Sequence, residues 1–240
     1  MTNSPKYRID VLIGEEEIGM IVAGLAKQIY HDFQNDEIVL IGVLDGSFAF
    51  LNDLSRELYK LGMKNLIIDF MGMDTYGDSE QSSGEPKITK DLKHDIRNKN
   101  VVVVEDIVDT GFSLSILQAM LKARQPSRLV SVAMLSKDER REVDVTVDYI
   151  GKHIPNKFVI GYGMDYDGKY HRELPYIGTV SFEETNWYFR YLGRVWWGLR
   201  RSCVYGGYRP SGLTDPEPLI RDHLAYLRLV LGNRWASWLW

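Results

Sequence analysis

Cysteine is almost absent from this 240-residue chain: Cys203 stands alone. A single cysteine excludes an internal disulfide and a zinc site built from several thiolates. Long apolar runs are absent too, since none reaches the roughly 18 residues of a membrane-spanning helix, and residues 1–6 lack the apolar core of a signal peptide. With 45% hydrophobic and 26% charged residues, the composition is that of a globular protein. We therefore expect a cytoplasmic protein.

Lysine is missing from residues 186–240, which hold eight arginines, all six tryptophans and three acidic residues, for a net charge of +5. Residues 1–185 hold 13 Lys and 8 Arg against 30 acidic residues, for a net charge of −9. This change predicts a domain boundary near residue 185. The Arg- and Trp-rich tail, 186–240, suits a membrane surface, a nucleic acid or a partner. We favour an appendage without catalytic role.

Predicted strands and helices alternate along the first 185 residues. Strands are predicted at residues 38–43, 65–71, 101–104, 129–135 and 158–161, and helices at 15–34, 48–58 and from about 114 onward. The four valines of 101–104 are typical of a strand buried on both faces. This alternation predicts an α/β fold with a right-handed parallel sheet. Ligands of such sheets bind beyond the carboxyl ends of the strands.

The densest chemical signal follows the valine strand, as Glu105-Asp106-Ile107-Val108-Asp109-Thr110-Gly111-Phe112-Ser113. A glycine turn before a helix offers unpaired backbone N–H groups to a phosphate, and the Thr110 and Ser113 hydroxyls add donors. Glu105 and Asp106 suit the hydroxyls of a sugar, directly or through Mg²⁺, while Asp109 stands where it can reach a reacting group. An ordinary turn does not explain the two acids at the strand end. A phosphoacceptor site of response-regulator type needs no such turn.

This acidic pair followed by Asp-Thr-Gly resembles the phosphoribosyl pyrophosphate (PRPP) signature of type I phosphoribosyltransferases, and residues 8–182 resemble their hypoxanthine-guanine branch. Four further segments carry the resemblance: Gly42-Val43-Leu44-Asp45-Gly46-Ser47, Thr75-Tyr76-Gly77 with Ser82-Ser83-Gly84, Leu135-Ser136-Lys137, and Phe158-Val159-Ile160-Gly161-Tyr162-Gly163-Met164-Asp165-Tyr166. It implies a parallel sheet flanked by helices, a small base-binding hood, a last strand at 177–182 and an unassigned C-terminal tail.

Members of this family are glycosyltransferases that move the phosphoribosyl group of PRPP to a purine and release pyrophosphate. The resemblance implies that Glu105 and Asp106 hold the ribose hydroxyls with Mg²⁺, and that residues 109–113 wrap the 5′-phosphate. It makes Asp109 the general base that takes the proton of purine N7. Asp45 and Gly46 match a pyrophosphate loop that often contains a non-proline cis peptide in relatives. Since many relatives have a basic residue in place of Asp45, we expect backbone N–H groups to make that contact.

Four further residues would lie at the purine, by the same resemblance. Lys137 would donate to the 6-oxo group of hypoxanthine or guanine, which the amine of adenine cannot accept. Phe158 would stack on the base and the Val159 backbone would contact its edge. Asp165 would lie near the base and a second metal ion, and Arg172 would bind pyrophosphate oxygens.

Residues 72–86 are predicted to form a mobile loop, and Thr75 and Tyr76 would close with it over the active site. Relatives are dimers or tetramers, so we expect a homodimer or homotetramer. RNA-binding attenuation regulators share the fold and the PRPP signature, but they need a basic face, which the net charge of −9 does not favour. We therefore expect a purine salvage enzyme whose partners are PRPP and a 6-oxopurine, with no nucleic acid. Hypoxanthine, guanine and xanthine share the 6-oxo group, so the preferred base stays open.

Overall fold

A computed structural model describes residues 7–34, 36–74 and 87–182. The strands of these residues are β1 (Tyr7–Ile13), β2 (Ile38–Leu44), β3 (Leu66–Asp74), β4 (Lys87–Lys90), β5 (Asn100–Val108), β6 (Arg128–Ser136), β7 (Tyr149–His153), β8 (Val159–Ile160) and β9 (Ile177–Phe182). The helices are α1 (Glu15–Phe33), α2 (Phe48–Lys60) and α3 (Phe112–Lys122), with a 3₁₀ turn at Asp138–Arg140.

Residues 1–183 form one unit of the chain. Three predictions concern residues outside the described ranges, namely Thr75, Tyr76 and the tail at 186–240. The loop closure, the boundary near residue 185 and the role of the tail therefore stay predictions.

The larger sheet has the strand order β4-β3-β2-β5-β6-β7. Its pairs from β3 to β7 are parallel, and β4 lies antiparallel at the edge beside β3. The predicted α/β fold with a parallel sheet is therefore confirmed. Because β2, β5 and β6 are neighbours that run the same way, their carboxyl ends lie side by side at one edge.

Helices cover both faces of this sheet. Val102 and Val104 of β5 pack into a core with apolar residues of α1 and α2, whereas Val101 and Val103 pack with α3. This alternation follows from the two-residue period of a strand, and it explains the unbroken run of valines. Helix α3 begins at residue 112, slightly earlier than the sequence predicts. No helix within the described ranges combines the length and the apolar character needed to cross a membrane.

The second sheet has three antiparallel strands in the order β1-β9-β8. This sheet and residues 161–176, which connect β8 to β9, are here called the hood. Its register pairs Tyr7 with Phe182, so residues from the two ends of the described chain meet in it. The hood is also tied to helix α2, because the hydroxyl of Tyr162 donates to Asp53 Oδ2 at 2.9 Å. Packing of the hood against α2 places β8 near the loop that precedes this helix.

Asp69 of β3 is a buried acid, only 2% exposed, that holds the segment after β4. Its Oδ2 accepts the backbone N–H groups of Lys93 at 2.7 Å and His94 at 3.0 Å. Its Oδ1 accepts the N–H of Phe70 at 2.8 Å. Burial alone raises the pKa of Asp69, but these hydrogen bonds outweigh burial and lower it to about 2.

Candidate active site

The glycine turn after β5 leads directly into helix α3. Gly111 has a φ of 91°, and an added Cβ would lie 2.9 Å from Val145 Cγ1 and 3.0 Å from the carbonyl oxygen of Val143, so only glycine fits. The carbonyl of Thr110 accepts the N–H groups of Glu142 at 3.0 Å and Val143 at 3.2 Å. These two hydrogen bonds hold the turn against residues 142–143. No side chain among the described residues caps α3, so its first N–H groups can bind an anion.

Two adjacent carboxylates, Glu105 and Asp106, stand before this turn. Burial raises the pKa of Glu105 well above its ordinary value, and the neighbouring Asp106 raises it further. Burial also raises the pKa of Asp106 to about 6, against the effects of the Ile107 N–H group and the Arg172 charge. Buried carboxylates of this kind favour hydrogen-bond donors or a cation as partners. The oxygens of Glu105 and Asp106 therefore fit sugar hydroxyls and Mg²⁺.

These acids would supply only some of the ligands of a metal ion. Within residues 7–34, 36–74 and 87–182, no three His, Cys, Asp or Glu side chains are gathered closely enough to hold one. Mg²⁺ commonly keeps water and substrate phosphate oxygens and takes one or two protein carboxylates. The predicted set of Glu105, Asp106 and Asp165 therefore is not one closed cluster here.

The predicted pyrophosphate loop packs on the acidic pair. The Leu44–Asp45 peptide bond is cis, and Gly46 follows it. A Cβ at Gly46 would lie 1.9 Å from Asp106 Oδ2. Gly163 of the hood has a φ of 100°, and its Cβ would lie 1.9 Å from the carbonyl oxygen of Gly46. The loop is therefore held between β5 and the hood.

Arg172 links the hood to this loop. Its Nη2 lies 2.7 Å from Asp165 Oδ1 and 3.9 Å from Asp45 Oδ2. Its Nη1 donates to the carbonyl of Gly163 at 2.7 Å. The other carboxylate oxygen of Asp165 accepts the N–H of Gly168. Arg172 and Asp165 thus hold each other at the edge of the loop, where an anion could compete for the guanidinium.

Asp109 lies between two cations. Lys137 Nζ donates to its Oδ2 at 3.0 Å, and Arg140 Nε lies 2.8 Å from its Oδ1. The lysine side chain is only 7% exposed. The backbone also joins these segments, because the N–H of Lys137 donates to the carbonyl of Val108 at 3.0 Å. The carboxylate after β5 and the ammonium after β6 therefore form one charged group.

Phe158 directly precedes β8, with 44% of its surface exposed. Its ring centroid is 6.2 Å from that of Tyr166, and the two rings meet edge to face. Tyr166 also packs on Tyr7, whose hydroxyl is 2.6 Å from His171 Nε2. The hood thus presents an exposed ring supported by other aromatics, while the side chain of Val159 is buried in β8.

The predicted residues therefore fall into two contact groups. Gly46 touches Asp106, and Arg172 joins Asp165 and Asp45. Asp109 and Lys137 form the second group. Arg140 was not among the predicted residues, although the spacing Lys-x-x-Arg after β6 is a signal that could have identified it.

Known proteins resemble this chain over most of the described residues. A phosphoribosyl transferase domain matches residues 13–167. Hypoxanthine phosphoribosyltransferase of Haemophilus influenzae is 42% identical over 182 residues, which are 75% of this chain and 99% of that protein. Hypoxanthine-guanine phosphoribosyltransferase of Staphylococcus aureus (strain Mu50) is 41% identical over 174 residues, which are 72% of this chain and 94% of that protein.

Solved structures give the same result. A hypoxanthine-guanine phosphoribosyltransferase of Bacillus anthracis aligns with a TM-score of 0.65 and 41% identity, over 73% of this chain and 99% of that one. A ternary substrate complex of hypoxanthine phosphoribosyltransferase from Trypanosoma cruzi aligns with a TM-score of 0.67 and 39% identity, over 71% and 94%. The shared fold thus spans nearly the whole of these proteins.

Proposed function

The chain belongs to the hypoxanthine phosphoribosyltransferase family of purine salvage enzymes, and we propose that it transfers the phosphoribosyl group of PRPP to N9 of hypoxanthine or guanine. The products are IMP or GMP and pyrophosphate. The observation that carries this proposal is the contact of Lys137 Nζ with Asp109 Oδ2 at 3.0 Å. It joins a donor for a 6-oxo group to a base beside the phosphate turn.

PRPP binds across the two loops in this proposal. The N–H groups at the start of α3, with the Thr110 and Ser113 hydroxyls, hold the 5′-phosphate. Glu105 and Asp106 accept the ribose hydroxyls. Backbone N–H groups of Asp45 and Gly46, with the Arg172 guanidinium, take the pyrophosphate.

Mg²⁺ is the proposed cofactor, because PRPP carries phosphates and the site offers carboxylates. Glu105 and Asp106 would hold it, with Asp165 near a second ion. When bound, the ion neutralises charge on the departing pyrophosphate. The residues of the chain orient the ribose and keep the pyrophosphate end against Arg172.

The purine lies between the hood and Lys137. Phe158 stacks on the base, and the Val159 backbone contacts its edge. Lys137 donates to the 6-oxygen, which selects hypoxanthine and guanine over adenine, because the adenine amine is itself a donor. Xanthine carries the same 6-oxygen and is a third candidate.

Asp109 acts as the general base. As purine N9 attacks C1′ of the ribose, the C1′–oxygen bond to pyrophosphate breaks and its electron pair leaves with the pyrophosphate. The proton of N7 passes to Asp109, so the nucleotide forms without a charge on the base. A positioned base of this kind contributes about 10²–10⁴-fold in rate. We propose that Thr75 and Tyr76 close over this centre and exclude water.

The direct test is an assay of the purified full chain with PRPP, Mg²⁺ and each purine in turn. Release of pyrophosphate with hypoxanthine or guanine, and much slower release with adenine, is expected. The Asp109→Asn variant serves as the control for contaminating activity. Tight binding of RNA without purine turnover would instead support an RNA-binding regulator of the same fold.

Compartment and assembly remain predictions. We propose a cytoplasmic enzyme, which a single cysteine, Cys203, supports because it can form no internal disulfide. A homodimer or homotetramer is proposed, and sedimentation of the purified chain distinguishes the two. Contact of the 186–240 tail with a membrane is not favoured, and co-sedimentation with anionic vesicles tests it.

A further inference from the structure

A single 3₁₀ turn carries both cations that face Asp109. The N–H of Arg140 donates to the carbonyl of Lys137 at 3.1 Å and closes this turn. Lys137 immediately precedes the 3₁₀ helix Asp138–Arg140, and Arg140 is its last residue. Both side chains contact the Asp109 carboxylate.

The two cations contact different oxygens of Asp109. Lys137 donates to Oδ2, whereas Arg140 Nε lies 2.8 Å from Oδ1. The contact of Arg140 with Oδ1 is an ion pair whose geometry is not that of a hydrogen bond. Oδ1 is buried, and it accepts no hydrogen bond from the described residues. The Asp109 carboxylate thus faces two cations, one at each of its oxygens.

The outer side of the turn is anchored independently. Ser136 Oγ donates to Asp138 Oδ1 at 2.7 Å, and Arg141 Nη2 donates to Ser136 Oγ at 2.9 Å. His153 Nδ1 lies 2.6 Å from Asp138 Oδ2. These contacts fix the backbone of the turn, so the positions of its two inward cations do not depend on Asp109 alone.

We propose that Arg140 is the positioning residue of the general base. This inference rests on the proposed function, in which Lys137 donates to the purine 6-oxygen. When Lys137 also donates to a purine, it holds Asp109 less firmly, and Arg140 then keeps the carboxylate in place. Arg140 itself touches neither purine nor PRPP in this role, since it acts through Asp109.

The test compares Arg140→Gln with Arg124→Gln in the full chain. Arg124 is a matched control, because it also pairs with an aspartate, Asp91, at 2.7 Å. Displacement of a reacting group can cost about 10²-fold, so Arg140→Gln should lower kcat about 10- to 100-fold while the KM for PRPP changes less than about two-fold. Arg140→Lys keeps the charge but not the planar guanidinium, and it should recover part of the loss.

A second arm places Arg140→Gln in the Asp109→Asn background. If the arginine acts through Asp109, the added substitution lowers kcat no further. Equal kcat for Arg140→Gln and Arg124→Gln, a rise in the PRPP KM alone, or an undiminished loss in the Asp109→Asn background would each overturn the inference. Absence of IMP and GMP formation by the unaltered chain would refute the proposed function as well, which separates the two failures.

Discussion

Gly46 packs so tightly on Asp106 that a Cβ at this glycine would lie 1.9 Å from Asp106 Oδ2. Gly163 packs equally tightly on Gly46, because a Cβ at Gly163 would lie 1.9 Å from the carbonyl oxygen of Gly46. The proposed pyrophosphate loop, ribose acids and hood are therefore in direct contact, without a layer of side chains between them. One methyl group added at Gly46 should therefore displace the loop, the acids and the hood.

Gly46→Ala should lower kcat/KM for PRPP at least about 10-fold, because Asp106 must move away from the added methyl group. Steady-state kinetics with varied PRPP measure the effect. Gly19→Ala in helix α1 is the matched control, since its Cβ meets nothing within 4 Å. If Gly46→Ala had the same PRPP kinetics as Gly19→Ala, the loop could accommodate the methyl group and the prediction would be wrong.

Asp109→Asn should keep PRPP binding but lower turnover at least about 10²-fold, because the amide cannot take the N7 proton. Calorimetric titration with PRPP and a nucleotide-formation assay separate the two quantities. Asp144→Asn, at an exposed position of the same segment as the 3₁₀ turn, is the control. Near-normal turnover of Asp109→Asn would remove this residue from the proposed mechanism.

Lys137→Ser should weaken the use of hypoxanthine and guanine by about 1.5–3 kcal/mol, the free energy of a lost charged hydrogen bond. PRPP binding should change far less, because Arg140 still neutralises Asp109. Michaelis constants for both substrates give the comparison. Unchanged purine constants would mean that the 6-oxygen is recognised elsewhere.

Asp69→Asn should reduce the free energy of unfolding by about 2–3 kcal/mol at pH 7, because the pKa of Asp69 is about 2 in the fold and about 4 in the unfolded chain. A lowered pKa gives stability that is complete above the unfolded value and declines as the pH falls toward the folded value. The difference between variant and wild type should therefore shrink between pH 5 and pH 2. Urea unfolding across that range measures it, with Asp144→Asn as control.

A chain cut after Glu184 should fold and form nucleotide at close to the full-length rate, because the proposed site residues run from Asp45 to Arg172. Circular dichroism and the nucleotide assay are the two readouts. Loss of fold and activity together would make the tail structural. A folded but inactive product would place part of the tail in the active site.

The sequence predicted the buried parallel strands well and the edge strands poorly. The valine run of β5 needs no partner to be recognised, because burial on both faces removes all polar alternation. β1 carries Arg8 and Asp10 among its apolar residues, and it exists by pairing with β9, far along the chain. Such pairing is set by tertiary contacts and not by local pattern.

The candidate site divides in the same way. Asp109 was predicted because the glycine turn and the acidic pair lie beside it in sequence. Its contact with Arg140 joins residues 31 positions apart and depends on the 3₁₀ turn Asp138–Arg140. A turn of three residues is too short to show a periodic pattern in the sequence. The contact of Tyr162 with Asp53 links two elements 109 positions apart in the same manner.

The pairing of β1 with β9 sets an order for folding during synthesis. The large sheet is complete once His153 has left the ribosome, whereas β1 finds its partner only when residues 177–182 have emerged. Synthesis adds about 5–20 residues per second, so β9 emerges at least about one second after β7. The residues proposed to hold the ribose and the 5′-phosphate are therefore synthesised with the large sheet, whereas the hood and Arg172 follow later.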